Sequence, residues 1–317
     1  MGRGRTDATV PVGKGEGRPR SALPVGLCPV RPQEVTAFLF VLPAVLLIGG
    51  LVAYPFLYAL SLSLTSKQAG VAAQFIGLRN FTDLMHGEIF RRTVRNSLLF
   101  TGVAVVFKTV LGLGLALLLR RAARGRRVIR GMVLLPWVVP STLSVLGWWW
   151  MFDPLSGVVN LGLSKLGLIH ERIPWLSDPF WAMVAVIIVN VWRGLPFFGI
   201  SFLAGLVSIP EELYEAAQID GAGKVACFAR ITVPMLRPVL GVIILYSIIM
   251  TVSDFNIVYV LTRGGPMNST HLFATFAYEM GLASGDIGKG AAISLFIFPF
   301  LAAVAFLQLR ITRGQTQ

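Results

Sequence analysis

The sequence predicts an all-α, polytopic membrane protein with six transmembrane helices, and three observations predict it. The 317 residues are 55% hydrophobic and only 14% charged, with a mean hydropathy of +0.73, which leaves too little polar surface for a water-soluble domain. Six apolar runs reach the roughly 20 residues needed to cross a bilayer at about 1.5 Å of rise per residue. Outside those runs, Lys and Arg segregate between alternate connections, as the positive-inside rule requires.

Residues 1–33 are rich in Gly, Pro and Arg without helical period and read as a disordered basic cytoplasmic lead-in. The membrane domain then occupies 34–311, with a polar loop at 207–237, and 312–317 form a cytoplasmic tail. The first run, 38–64, is too long and too far from the start for a cleaved signal peptide and reads as an anchor. The others fall at 96–119, 128–152, 180–207, 238–261 and 291–309. Pro43, Pro55, Pro136, Pro140 and Pro196 lie inside them; neighbouring helices can re-satisfy the backbone there, so kinked, packed helices are expected.

Orientation follows from the charges. The lead-in, the second connection (Arg120 to Arg130), the 207–237 loop and the tail carry seventeen basic residues, and the opposite connections nine. Both termini are therefore expected in the cytoplasm. The same pattern accounts for the net charge of +13 without nucleic acid, since no aromatic-interleaved basic groove accompanies it. Cys28 and Cys227 both fall on the reducing side, so no disulfide is expected.

Chemical motifs are scarce. Gly221, Gly223 and Lys224 approach a phosphate loop, but Val225 replaces the magnesium-binding hydroxyl and Gln218 the leading Gly. His86, His170 and His271 are isolated on outer connections, with no metal-ligand spacing. Gly112 and Gly114 suit close helix packing better than a cofactor. An enzyme has no residues to stand on, and no cofactor is expected in this chain.

The stretch from Glu215 to Pro234 is polar and turn-broken between two apolar runs. Ser208 and Glu211 have capping-box spacing for a helix start. Leu213, Ala216, Ala217 and Asp220 then share a face kept low by its alanines, Gly221 permits a break, and a second helical piece is expected to end at Pro234. Helix physics alone leaves open an amphipathic helix lying on the membrane surface.

In the fifth run Ser247, Thr251 and Asp254 are spaced i, i+4 and i+7, forming one polar track. A carboxylate near the bilayer centre costs roughly 2.5–3.5 kcal/mol and marks a cavity or partner; polar side chains that merely join helices are the other reading. Lys108 and Arg193 are intramembrane charges for which the sequence names no firm partner. Trp148, Trp149 and Trp150 suit an interfacial aromatic belt, with a sugar-stacking platform as the alternative.

Glu215-Ala216-Ala217, then Gly221, Ile231, Val233 and Pro234, resembles the EAA signature of ABC importer membrane subunits, with Val233 where Leu is usual. Leu135-Pro136, Val139-Pro140-Ser141, Asn190, Trp192, Gly194, Pro196, Asp220-Gly221-Ala222, Leu261-Thr262 and Gly264-Gly265-Pro266 are similar to the carbohydrate-importer permeases related to the larger maltose permease subunit. That resemblance extends from about residue 36 to the end, without the large periplasmic insertion of the maltose subunit.

The resemblance implies a type I ABC importer permease fold in a bacterial plasma membrane. Glu215, Ala216, Ala217, Asp220 and Gly221 would form coupling helices seated in an ATP-binding subunit. Ser247, Thr251, Asp254, Gly194 and Phe197 align with sugar-contacting positions, Thr251 and Asp254 standing where that subunit has amides. Implied partners are a second permease subunit, two ATPase subunits that bind ATP and Mg, an extracytoplasmic solute-binding protein, lipid and a carbohydrate. Glycerol 3-phosphate or a glycerophosphodiester is the alternative cargo. An ion-coupled secondary transporter is the alternative of another class, and would bring its own coupling groups and repeated halves.

Overall fold

The computed structural model describes residues 32–121 and 126–313, and among these the secondary structure is helical apart from one isolated bridge, Thr65 to Phe75. The chain divides into two compact units, 1–54 and 55–317. The described part of the first is entirely helical, within α1 (Pro32–Ser63). Leu46, Leu47, Ile48 and Leu51 of α1 are exposed, as befits a face turned to lipid or another subunit.

In the second unit α2 (Arg79–His86) precedes α3 (Glu88–Arg121). The connection before α2 is held by Asn80, whose Nδ2 donates to the carbonyls of Ser63 and Thr65, each at 2.8 Å. Next come α4 (Arg126–Val138), α5 (Ser141–Met151), α6 (Val158–Lys165) and α7 (Pro179–Val207). Asp178 starts α7 by accepting from the N–H groups of Phe180 and Trp181 at 2.9 and 3.0 Å, with Pro179 at the first helical position where no N–H is needed. Then follow α8 (Glu212–Ile219), α9 (Lys224–Cys227), a π-helical turn Phe228–Thr232, α10 (Val233–Val252), α11 (Asn256–Leu261), α12 (Phe273–Tyr278), a second π-helical turn Glu279–Ala283 and α13 (Ile287–Arg313).

Among the described residues five helices are long and apolar enough to cross a membrane, or six if α4 and α5, bent by 90° at their break, count as one span. The run 128–152, expected as one kinked span, is two helices. Pro140 lacks an N–H and pushes Val139 out of helical geometry, so the chain turns there. Pro136 is tolerated inside α4. The second span begins at Glu88 and the last at Ile287, earlier than their apolar stretches, because their polar first turns are helical too.

Two expectations in the loop are overturned. Ser208 is no helix start: its N–H still bonds to Ala204 O, and its hydroxyl donates back to Gly205 O at 2.8 Å, so it closes α7. Glu211 precedes α8 without a side-chain cap. Pro234 does not end a helix either. It sits in the first turn of α10, beyond the π-helical turn, where a missing N–H sacrifices no regular bond. The helical path consequently runs from Lys224 to Val252, and the break expected at Pro234 comes instead at 253–255.

The lead-in lies outside the described residues except for Pro32 and Gln33, which open α1. Residues 122–125 of the basic connection, 314–317 of the tail and Cys28 also lie outside them. Cys227 is a buried free thiol.

α3 and α7 run side by side in the same direction, pairing Lys108 with Gly194 and Gly112 with Phe198. A Cβ on Gly112 would collide with Phe198 Cβ, so glycine here sets how closely the helices approach. Two hydrophobic clusters flank the middle of α7. One includes Phe100, Val145, Phe152, Met183, Val186, Val189 and Ile257; the other includes Leu119, Phe198, Phe202, Leu206, Leu236 and Ile243. Between them lie Asn190, Arg193, Gly194 and Phe197.

Gly112→Leu should lower the melting temperature of the purified protein, at a cost of about 1–3 kcal/mol for overpacking. Gly114→Leu should not, because nothing lies within 4 Å of a Cβ at that position. Thermal unfolding of the two variants in detergent checks this.

Candidate functional site

Lys108 places a charge in the middle of an apolar helix, with the residue only 4% exposed. Such an ammonium must find acceptors inside the protein. Its Nζ donates to Asn190 Oδ1 at 2.9 Å and to Thr251 Oγ1 at 2.7 Å. Asn190 Nδ2 in turn donates to Asp254 Oδ2 at 3.0 Å, and Asp254 Oδ1 accepts the N–H of Ile257 at 3.1 Å. One amide thus bridges a cation and an anion, joining α3, α7 and both sides of the break between α10 and α11.

This network forms a wall of a cavity of about 320 Å³. All five residues expected to meet substrate, Gly194, Phe197, Ser247, Thr251 and Asp254, line it. Asp254 and Phe197 are half-buried, whereas Ser247 and Thr251 are buried. Among the described residues Ser247 Oγ has no hydrogen-bond partner. Trp137, Tyr246 and Phe255 add aromatic surface, with the Phe197 and Tyr246 rings 4.8 Å apart. Arg193 also lines the cavity, near enough to Asp254 to act on its charge; among the described residues it makes no hydrogen bond or ion pair. Fixed polar groups beside aromatic faces suit a ligand with both hydroxyls and C–H faces.

The three tryptophans at the end of α5 do not line this cavity. Trp148 packs on Phe152 and Trp192 at 5.3 and 5.5 Å, and Trp149 and Trp150 are exposed. His271 is buried rather than loose. It faces Thr275 Oγ1 at 3.3 Å, and burial holds its imidazole below the ordinary value.

At the end of the bundle reached by Val207, α8 has no buried residue. Glu215, Ala216 and Asp220 are exposed, as is Leu213, and Ala217 is half-buried. Tyr214 turns inward, its hydroxyl 3.0 Å from Thr232 Oγ1 and its ring 5.2 Å from the Arg120 guanidinium. Gly221 has φ +83°; its N–H bonds to Gln218 O at 3.0 Å and that of Ala222 to Ala217 O at 2.8 Å. This αL termination re-aims the chain into α9, as a helix-closing glycine does. Glu215, Ala216, Asp220 and Gly221 therefore present an exposed edge, with Ala217 half-buried beside them.

Residues 108–317, which hold both the cavity and this loop, match the model of the binding-protein-dependent transport system inner membrane component family. The chain belongs to that family. As a permease it is 36% identical to the sulfoquinovosyl glycerol transport system permease of Agrobacterium fabrum, over 89% of this chain and 91% of that one. It is 38% identical to the trehalose/maltose transport system permease of Thermococcus litoralis, over 75% and 80%. Its fold is that of a bacterial alginate ABC transporter solved with an alginate pentasaccharide-bound periplasmic protein, at a TM-score of 0.77 with 24% identity, covering 90% of this permease and 96% of that chain. It is a membrane-embedded transport subunit with a type I importer architecture.

Sequence reasoning had the five cavity residues but not what ties them together. Lys108 stood without a partner, Asn190 figured only as a motif residue, and Trp137 and Tyr246 drew no attention. An uncompensated lysine in an apolar run was the available signal.

Thr251→Val should destabilise the permease by about 1–3 kcal/mol, since it removes an acceptor from a buried charge. Ser247→Ala should be neutral or slightly stabilising, because its hydroxyl is already unpartnered. Parallel melting curves distinguish the two.

Proposed function

We propose that this permease is one of two membrane subunits of an ABC importer that carries a carbohydrate into the cell. The observation that supports this most is the convergence of Gly194, Phe197, Ser247, Thr251 and Asp254, drawn from two distant stretches, on one midspan cavity with hydrogen-bonding and aromatic walls. Hydroxyls would meet Asp254 and Arg193, and the sugar's C–H faces would meet Phe197, Tyr246 and Trp137. The similarity to permeases for sulfoquinovosyl glycerol and for trehalose/maltose supports the same class of cargo. Arg193, which lines the cavity without a hydrogen bond or ion pair among the described residues, also suits a sulfonate, phosphate or carboxylate on that cargo, so a glycerol 3-phosphate-like solute is the second reading.

In this reading the permease domain is 34–311, both termini are cytoplasmic and the 207–237 loop faces the cytoplasm. An extracytoplasmic binding protein delivers solute, and two ATPase subunits bind ATP and Mg and close on one another. The exposed edge of Glu215, Ala216, Ala217 and Asp220 seats in an ATPase cleft, and Gly221 sets its angle. ATPase closure then moves α8 and, through the Tyr214–Thr232 contact and the helical path from Lys224 to Val252, reaches the cavity wall at Thr251. Hydrolysis takes place in the partner chains, with none in this one.

Glu215→Lys should abolish uptake and solute-stimulated ATPase activity while the permease still inserts and assembles; normal uptake would remove Glu215 from coupling. Uptake by the complete reconstituted importer, assayed with trehalose, maltose, sulfoquinovosyl glycerol, alginate oligosaccharide and glycerol 3-phosphate, tests the cargo. Saturable transport of at least one of the four carbohydrates is expected. Transport of glycerol 3-phosphate alone, or transport that continues without the ATPase subunits, would overturn the reading.

A further inference from the structure

We propose that Lys108 is the positioning residue of the cavity: fastened to Asn190 and Thr251, it holds Asp254 in place through Asn190 and so sets the polar wall that any solute meets.

The geometry leaves the Lys108 ammonium little freedom to grip cargo itself. The residue is nearly inaccessible, and two of its three donors are committed inside the protein. Its effect passes through Asn190 in one direction only. An ammonium can only donate and a carboxylate can only accept, so the Asn190 amide must turn its oxygen to Lys108 and its nitrogen to Asp254. Without Lys108 the amide oxygen loses its partner, and the amide is held from the Asp254 end only. The Ile257 N–H is then the one donor to Asp254 that the backbone fixes. While Lys108 is present, both carboxylate oxygens are clamped, and Asp254 offers its remaining lone pairs to the cavity beside Arg193.

A second, independent feature belongs to the same device. A Cβ on Gly194 would fall 2.5 Å from Lys108 Cδ and 3.6 Å from its Cε. Gly194 is therefore the slot that admits the lysine stem against α7, a part it plays in addition to lining the cavity. Gly194 thus gains a role that ties α3, which supplies none of the expected substrate residues, to the substrate wall.

The test is a double-mutant cycle on the complete reconstituted importer with Lys108→Ala, Gly194→Ala and the two combined. Two readouts are followed: the melting temperature of the complex, which needs no solute, and the apparent KM and maximal rate for the best-carried member of the panel above. Lys108→Ala should raise the apparent KM about tenfold, the scale of a lost site interaction. Gly194→Ala should raise KM and lower the melting temperature in the wild-type background. In the Lys108→Ala background, where no stem remains to be displaced, it should change each by less than about twofold or two degrees. Equal Gly194→Ala effects in both backgrounds, or a Lys108→Ala permease with a lower rate at unchanged KM, would overturn the proposal. If Lys108→Ala fails to assemble, Lys108→Gln keeps a stem and a donor; it should assemble with a raised KM, and a wild-type KM would count against positioning. If no panel solute is carried, the melting cycle alone decides the role of Lys108, so that outcome faults the cargo reading and leaves this one standing or falling on its own.

Discussion

The middle of this molecule is organised by the requirement that the ammonium of Lys108 be satisfied without water. A charge in an apolar span is tolerated only where the protein supplies acceptors, and those come from α7 and α10. Meeting that demand brings three helices together at one level and draws in Asp254 through Asn190. It also requires Gly194 opposite the lysine stem. The cavity lies where these constraints intersect, and hydrophobic clusters close the bundle on either side of it.

The same helices carry the cavity and the exposed loop, which gives a physical route between them. α10 begins beyond a π-helical turn that follows α9 and ends one residue after Thr251. A force applied to α8 meets Tyr214 against Thr232 at one end of this path and the Lys108 contact at the other. The break at 253–255 lies just past that contact, where Asp254 caps α11. A helix displaced along its axis would therefore change the polar wall rather than slide past it.

Much of the fold was legible in the sequence because the bilayer demands long apolar runs. The EAA spacing was legible because its parts lie within twenty residues of one another. The bend at Pro140 was harder, as proline is tolerated in one membrane helix and breaks the next according to what packs around it. Pro136 and Pro140, four residues apart, behave oppositely. Ser208 and Glu211 had the right spacing for a cap, but α7 runs through Ser208's N–H and claims its hydroxyl. The partners of Lys108 were beyond local pattern altogether, lying 82 and 143 residues away in sequence.

In the proposed transport cycle one polar and aromatic cavity of this chain holds the solute while the 207–237 loop engages the ATPase. Cryo-electron microscopy of the assembled importer, with its binding protein loaded with sugar and the ATPase subunits closed on a non-hydrolysable ATP analogue, tests both halves at once. Sugar density is expected against Phe197, Arg193 and Asp254, with α8 inside an ATPase cleft. Sugar density away from these residues, or α8 left exposed to solvent in the closed complex, would contradict it.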